Sequence, residues 1–390
     1  MNQAKDTLGE RVIHIGAPKC GSTALQSAFY QNRVALAAEG VTYIGKTSHW
    51  ITAAKAVAGV ADRISGNNPP ISEWEHLVQE VHSVTTGTAL VSSEWFASAN
   101  EESVQRIISD LDAKRLRAVL VIRPLTSTLP SAWQQSLKLG GKQSLSEWLN
   151  TILNHPDNPR SKRVWSKHRY DQIVGRWISA LGRDRVTVVV ADESDAAYIF
   201  TAFSQLLGLK QNVLLSPPKL TNPSLSAFEA DVLAELNKIY FDRGGTLHAY
   251  RSGVFRTFDG YVNGIRSGSV QRSTIPLAQL PAVQALNTSI ATGIRNAGCQ
   301  VLGDLDRFAN AQQGTREHAS ALQGATEQRF ADVQSAAGMM YALMVTTGIA
   351  DPATRIPGFG RRRTLFFYQA LSLIRRLQRG VALAVKRRLP

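Results

Sequence analysis

The segment Arg11-Val-Ile-His-Ile-Gly-Ala-Pro-Lys-Cys-Gly-Ser-Thr23 constrains the fold of this chain more than any other. A β-branched run, Val12 to Ile15, runs into a turn holding Gly16, Pro18 and Gly21, and Ser22 and Thr23 open a helical pattern through Tyr30. This order is strand, glycine loop, helix N-terminus. The first amides of a helix have no intrahelical partner and favour an anion. Lys19 and two hydroxyls beside them complete a cradle for phosphate or sulfate.

The position of the lysine narrows the anion. Gly16 and Gly21 have the G-x-x-x-x-G spacing of a nucleoside-triphosphate loop, which needs Lys directly after its second glycine. Ser22 stands there, and Lys19 lies inside the loop instead. Pro18-Lys-Cys-Gly-Ser-Thr23 resembles the Pro-Lys-Thr-Gly-Thr-Thr signature of sulfotransferases that use 3′-phosphoadenosine 5′-phosphosulfate. The resemblance implies that Gly16, Pro18, Lys19, Cys20, Gly21, Ser22 and Thr23 bind the 5′-phosphosulfate, with Lys19 at the leaving oxygen. Cys20 replaces the usual Thr or Ser, so a contact from that position rests on its backbone N–H. Two other readings of the loop exist. It could be a plain turn, or hold a reactive thiol lowered by the helix N-terminus. A cysteine phosphatase needs Arg six positions after the Cys, where Gln26 stands.

Strand-like and helix-like runs alternate beyond the loop. Strands are expected at 40–44, 88–92, 117–122 and 185–190, and helices at 51–60, 71–84, 101–111, 128–139 and 196–207. This alternation predicts an α/β fold, a P-loop-like parallel sheet flanked by helices. Ligands of such sheets collect at the carboxyl ends of the strands. Residues from about 315 to 345 read as helices rich in Ala and Gln.

Two further constellations lie at strand ends. Arg123 follows Val119–Ile122, and Ser131 comes eight residues later on an expected helix. Arg offers a bidentate fork to phosphate and Ser a further donor. The sulfotransferases place an Arg and a Ser at this spacing on the donor's 3′-phosphate, and Arg123 and Ser131 match. Sulfonyl transfer to a hydroxyl benefits from a general base. Glu94 closes the strand that ends in Ser92-Ser93, and His49 follows the second strand. An imidazole suits base work at neutral pH, whereas a carboxylate needs burial to raise its pKa. Both candidates stay open. His14, inside the first strand, reads as a core residue. Val164-Trp-Ser-Lys-His168-Arg-Tyr-Asp171 with Arg176-Trp177, Asn222-Pro-Ser-Leu225 and Gly303-Asp-Leu-Asp306 are similar to segments of bacterial, actinobacterial-type members. The resemblance spans about residues 10–310 and implies a sulfotransferase domain there, with Trp165 and His168 as candidates to line an acceptor pocket.

The formal charge of +14 is uneven: nine basic and no acidic residues lie in 361–390, which leaves +5 on the rest. Phe367, Ala370, Ile374, Leu377 and Val381 share a helical face there, with Arg375, Arg376 and Arg379 elsewhere. A basic amphipathic helix of this kind suits an anionic membrane surface, or it docks on the domain or in a homodimer. The expected organisation is thus 10–310 catalytic, 311–360 a helical extension and 361–390 the basic helix. Two distant cysteines, Cys20 and Cys299, offer no disulfide framework or Cys-based metal site. No run of about 20 apolar residues exists, and the N-terminus lacks the apolar stretch of a secretory signal. A cytoplasmic protein, peripheral at the inner face of a membrane if the tail binds there, is expected. No nucleic-acid motif is recognisable.

The sequence therefore points to sulfonate transfer from 3′-phosphoadenosine 5′-phosphosulfate, without a metal, to a hydroxyl of a carbohydrate, glycolipid or other small acceptor. The competing readings are a kinase-like P-loop enzyme and a catalytically silent nucleotide-binding or membrane-adaptor module.

Overall fold

The computed structural model describes residues 9–45, 50–62, 66–215, 224–265, 271–311 and 322–346. Six strands form one parallel sheet: β1 Glu10–His14, β2 Val41–Tyr43, β3 Thr88–Ser92, β4 Leu116–Ile122, β5 Val186–Val190 and β6 Gln300–Leu302. Their spatial order is β2-β3-β1-β4-β5-β6. From β1 the chain runs to the edge strand β2, fills the gap between them with β3, and then crosses to the other side of β1 with β4. β1 therefore sits at the switch point of the sheet, where the loops at the carboxyl ends diverge and leave a crevice. His14 pairs in register with Ser92 of β3 and Val119 of β4. The loops after β1, β3 and β4 consequently emerge side by side.

Helices cover the strands because their apolar residues recur every three or four positions. α1 (Ser22–Gln31) buries Leu25, Ala28 and Phe29. α2 (Arg33–Ala38) and α3 (Ile51–Val57) are short; α4 (Ser72–Ser83) buries Trp74, Leu77 and Val81. α5 (Glu101–Asp110) buries Val104, Ile107 and Ile108, and Asn100 caps it by accepting from the Ser103 amide at 2.8 Å. α6 (Leu125–Leu137) and α7 (Leu145–Asn154) follow β4. α8 (Pro159–His168) starts with Pro at its first position under an Asn158 cap, the arrangement a helix start favours. α9 (Tyr170–Leu181) packs Ile173, Val174 and Trp177 toward β4 and β5. α10 (Tyr198–Leu206) buries Ile199, Phe200 and Phe203. β5 is buried along its whole length, as a central parallel strand covered on both faces must be.

The chain divides into two compact units. The sheet, with α1 to α5 and α8 to α10, belongs to the first, which comprises residues 1–132, 149–220 and 275–313. The second comprises 133–148, 221–274 and 314–390. Within it α11 (Ala227–Asp242) opens on a capping box of Ser226 and Glu229 and packs on the helix Leu322–Thr346. The Asn237 amide nitrogen donates to the carbonyls of Leu137 and Gly141, and the Tyr250 hydroxyl also donates to Leu137.

The expected strands and helices recur with shifted ends, and β6 is an addition. α6 starts at Leu125 rather than at 128. Its first amide, Leu125 N–H, donates to Asn287 Oδ1 at 2.9 Å, a cap supplied from 162 residues away. The expected 51–60 helix stops at Val57. The basic segment 361–390 lies outside the described residues. Among those residues, no helix is long and apolar enough to cross a membrane.

Candidate functional site

The loop between β1 and α1 is built from left-handed backbone. Gly16, Lys19 and Gly21 have φ of 56°, 69° and 92°. Glycine accepts this region freely; a lysine there is uncommon. A side chain at Gly16 would meet the Ser22 hydroxyl at 2.9 Å and the Cα of Glu94 at 3.1 Å. The loop thus lies directly against the start of the turn Glu94–Ser98 that follows β3. Gly21 is the N-cap of α1, and among the described residues no side chain caps that helix. Its first amides are therefore open to an outside acceptor. Alternating left- and right-handed backbone at a helix N-terminus is the geometry of an anion nest, and these residues fit a phosphate or sulfate group.

Side chains around the loop tie it to β4 and α9. Arg123, immediately after β4, donates from Nη1 to the Lys19 carbonyl at 3.3 Å and from Nη2 to Glu193 Oε1 at 2.8 Å. The Ser22 hydroxyl donates to the Ala17 carbonyl at 3.2 Å. Beneath the loop, the Cys20 thiol lies 3.6 Å from the Tyr170 hydroxyl, which donates to Thr128 Oγ1 at 3.3 Å. Burial pushes the Cys20 thiol up to about 11. Full burial of Cys20 and a raised thiol pKa both work against a reactive thiolate at neutral pH. Burial likewise raises the Tyr170 phenol well above its ordinary value.

Among the described residues, two histidines are buried. His14 Nδ1 lies 2.7 Å from the Ser92 hydroxyl, the ring stands edge-on to Phe203, and burial lowers its pKa to about 3. It is a core residue, as expected. His168 ends α8, and its Nδ1 lies 2.8 Å from the Val164 carbonyl. A carbonyl only accepts, so Nδ1 carries the proton and Nε2 presents its lone pair. Nε2 is buried with no partner among the described residues. Burial lowers His168 to about 4, the Val164 carbonyl opposes this, and the nearby charges of Lys167 and Lys19 add to the lowering.

The turn Glu94–Ser98 carries the carboxylate of Glu94 beside the loop. The next residue, Trp95, has the ammonium groups of Lys167 and Lys55 at 4.2 and 4.6 Å from its ring centre. Ser131 lies on α6, half-buried, and donates to the Ser127 carbonyl at 3.3 Å. His49 lies outside the described residues, as do Asn222 and Pro223. The Trp165 indole donates to the Ile152 carbonyl at 2.7 Å, a packing role. No cluster of His, Cys, Asp and Glu able to hold a metal occurs among the described residues.

The structure thus brings Gly16, Lys19, Cys20, Ser22, Glu94 and Arg123 together at the carboxyl ends of the neighbouring strands β3, β1 and β4. Sequence reasoning missed Glu193, although it lies only three residues past β5 and strand ends were the places to look. It also missed the two lysines on Trp95. They come from α3 and α8, and no local pattern joins them.

Fold and loop together define an α/β protein with a left-handed, glycine-containing loop at the switch point of a parallel sheet. No known family model matches the chain, and no curated protein matches it. Among solved structures it is similar to a sulfotransferase from Alicyclobacillus acidocaldarius, with 14% identity and a TM-score of 0.39 over 57% of this chain and 89% of that one.

Proposed function

We propose that the protein transfers a sulfonate group from 3′-phosphoadenosine 5′-phosphosulfate to an acceptor hydroxyl. One observation carries the reading: Lys19 stands inside the loop, in left-handed backbone before Gly21, with its carbonyl held by Arg123. A triphosphate loop would put the lysine after Gly21. The donor supplies an activated sulfonate whose S–O bond to the phosphate breaks on transfer. The amides at 21–23 and the hydroxyls of Ser22 and Thr23 would hold its 5′ end. Pro18 and Gly16 shape the loop, and Cys20 would contribute only its backbone. Lys19 would stabilise charge on the leaving phosphate oxygen, a fixed cation aimed where charge develops. Arg123 and Ser131 would hold the 3′-phosphate, with Arg123 exchanging its Glu193 partner for the phosphate.

Glu94, whose backbone lies against the loop at Gly16, would accept the proton of the acceptor hydroxyl; His49 is the other candidate base. The acceptor is a carbohydrate, glycolipid or other small molecule. The segment 361–390 would hold the protein on an anionic membrane surface or pair two copies.

Transfer is tested with radiolabelled donor and a panel of hydroxylated acceptors. The expected result is labelled product with the native chain and a loss of about 100-fold or more with Lys19→Ala, the size of effect seen when one oxyanion-stabilising group is removed. Donor binding without transfer to any acceptor would support a silent nucleotide-binding module instead.

A further inference from the structure

A polar groove opens at the far end of the turn that begins with Glu94. A hollow of about 590 Å³, open to solvent, is lined by Ser98, Asn100, Glu101, Glu102, Ser166 and Arg176. A second hollow of about 430 Å³ shares Glu101 and Arg176 and continues along α9 past Gln172. Both volumes lie in the range of small-molecule sites. Neither face of the groove has a function in the donor chemistry above.

Its polar groups are under-used. The Ser98 hydroxyl and Arg176 Nε are buried without a partner among the described residues. The guanidinium of Arg176 makes one long hydrogen bond there, from Nη2 to the Ala97 carbonyl at 3.4 Å. Buried polar groups are ordinarily paired, and an orphaned one costs stability until something satisfies it. Burial also lowers the Arg176 pKa, against the opposing charge of Glu101.

The lining selects the ligand. One guanidinium faces two carboxylates, so the groove carries no positive excess for an anion. Among the described residues, no aromatic or long aliphatic side chain lines either hollow, so an acyl chain has nothing there to bury against. Ser98, Asn100, Gln172 and Ser166 both donate and accept, Arg176 only donates, and Glu101 and Glu102 only accept. This mixture matches a surface of hydroxyls, each of which is donor and acceptor at once.

We infer that the groove from Ser98 to Gln172 binds the body of a neutral, polyhydroxylated acceptor, an oligosaccharide of two or more rings, while its reacting hydroxyl lies at Glu94. The span supports this length. Glu94 and Ser98 are the two ends of a five-residue tight helical turn, four steps apart and so about 8 Å at roughly 2 Å per residue, which is longer than one sugar ring. The inference rests on the acceptor-hydroxyl reading above and sharpens its substrate class.

The test uses the fluorescently labelled full chain on a printed array of neutral and acidic oligosaccharides of one to six rings. Calorimetry with 3′-phosphoadenosine 5′-phosphate runs in parallel. Retention on neutral glycans of two or more rings is expected. Arg176→Gln and Glu101→Gln should each weaken it about tenfold or more, the effect of losing one hydrogen bond to a charged group, with nucleotide affinity unchanged. Glu101 is exposed, so Glu101→Gln, with Ser98→Ala, decides the matter if Arg176→Gln does not fold. Retention of acidic glycans alone, retention of none, or native-like retention by the folded variants would overturn the inference. Variant-sensitive glycan retention without nucleotide binding would overturn the donor reading and leave the glycan groove standing.

Discussion

Glu193→Gln should tighten binding of a nucleotide that carries a 3′-phosphate. Arg123 and Glu193 form one charge-assisted hydrogen bond of 2.8 Å, with side chains 29% and 37% exposed. A fully exposed pair contributes between zero and about 1 kcal/mol, and hydrogen bonds to charged groups about 1.5–3 kcal/mol. For a half-exposed pair, about 1 kcal/mol is a fair value. A phosphate taking the Arg123 fork loses that amount, and it also meets the Glu193 carboxylate as a like charge, a further ~1 kcal/mol at most in water. Neutralising Glu193 removes both terms. At 1.4 kcal/mol per tenfold, affinity should rise between about fivefold and thirtyfold. Calorimetry with 3′-phosphoadenosine 5′-phosphate measures this directly. Adenosine 5′-phosphosulfate, which lacks the 3′-phosphate, is the control, and its affinity should stay within about twofold. Unchanged or weaker binding of the first ligand would refute the reasoning, and so would an equal gain for both.

Three other outcomes follow from the geometry. His14 and His168 are held at about 3 and about 4 in the folded chain, below the unfolded value of about 6.5. The unfolded chain therefore binds more protons as pH falls below 6.5, and stability drops from there toward pH 4. His168 alone accounts for a loss on the order of 3 kcal/mol, to be read as a falling urea midpoint between pH 7 and 4.5, with a flat midpoint contradicting it. The Cys20 thiol should resist iodoacetamide at pH 8 in the folded chain and react on unfolding, with mass spectrometry locating the adduct; rapid native modification would mean that the loop opens. Gly16→Ala should abolish nucleotide binding, because its Cβ would press on Ser22 and on Glu94 backbone in a conformation that also strains an L-residue by about 1 kcal/mol or more. A titration with native-like heats would contradict this.

Much of the sheet was legible from local pattern. Thr88–Ser92 was read at its observed ends, because a continuous apolar run between turn residues has few other fates. β6 escaped because Gln300–Leu302 is only three residues long, one exposed and two half-buried, and carries no periodic signal. The start of α6 escaped because its cap, Asn287, arrives from a distant helix. The loop was readable because its glycines, proline and lysine are contiguous. What surrounds it was not. Glu193 on Arg123, Tyr170 under Cys20 and the Lys55–Trp95–Lys167 stack join side chains from separate elements, and their meeting is fixed by strand order rather than by spacing. The cysteine in the loop is explained by the same packing. Its thiol fills a buried place beside Tyr170, where a hydroxyl is not needed for an amide to reach the ligand.

The central claim is that the loop and Arg123 together hold an adenine nucleotide bearing phosphate at both its 5′ and 3′ ends. Parallel calorimetric titrations with 3′-phosphoadenosine 5′-phosphate and with ATP plus Mg²⁺ test it most directly. One site per chain is expected for the first, weakened by about 100-fold or more in Arg123→Ala as a bidentate phosphate contact is lost, with at most feeble binding of the second. No heat with 3′-phosphoadenosine 5′-phosphate at high micromolar concentration, or tighter binding of ATP with Mg²⁺, would contradict it.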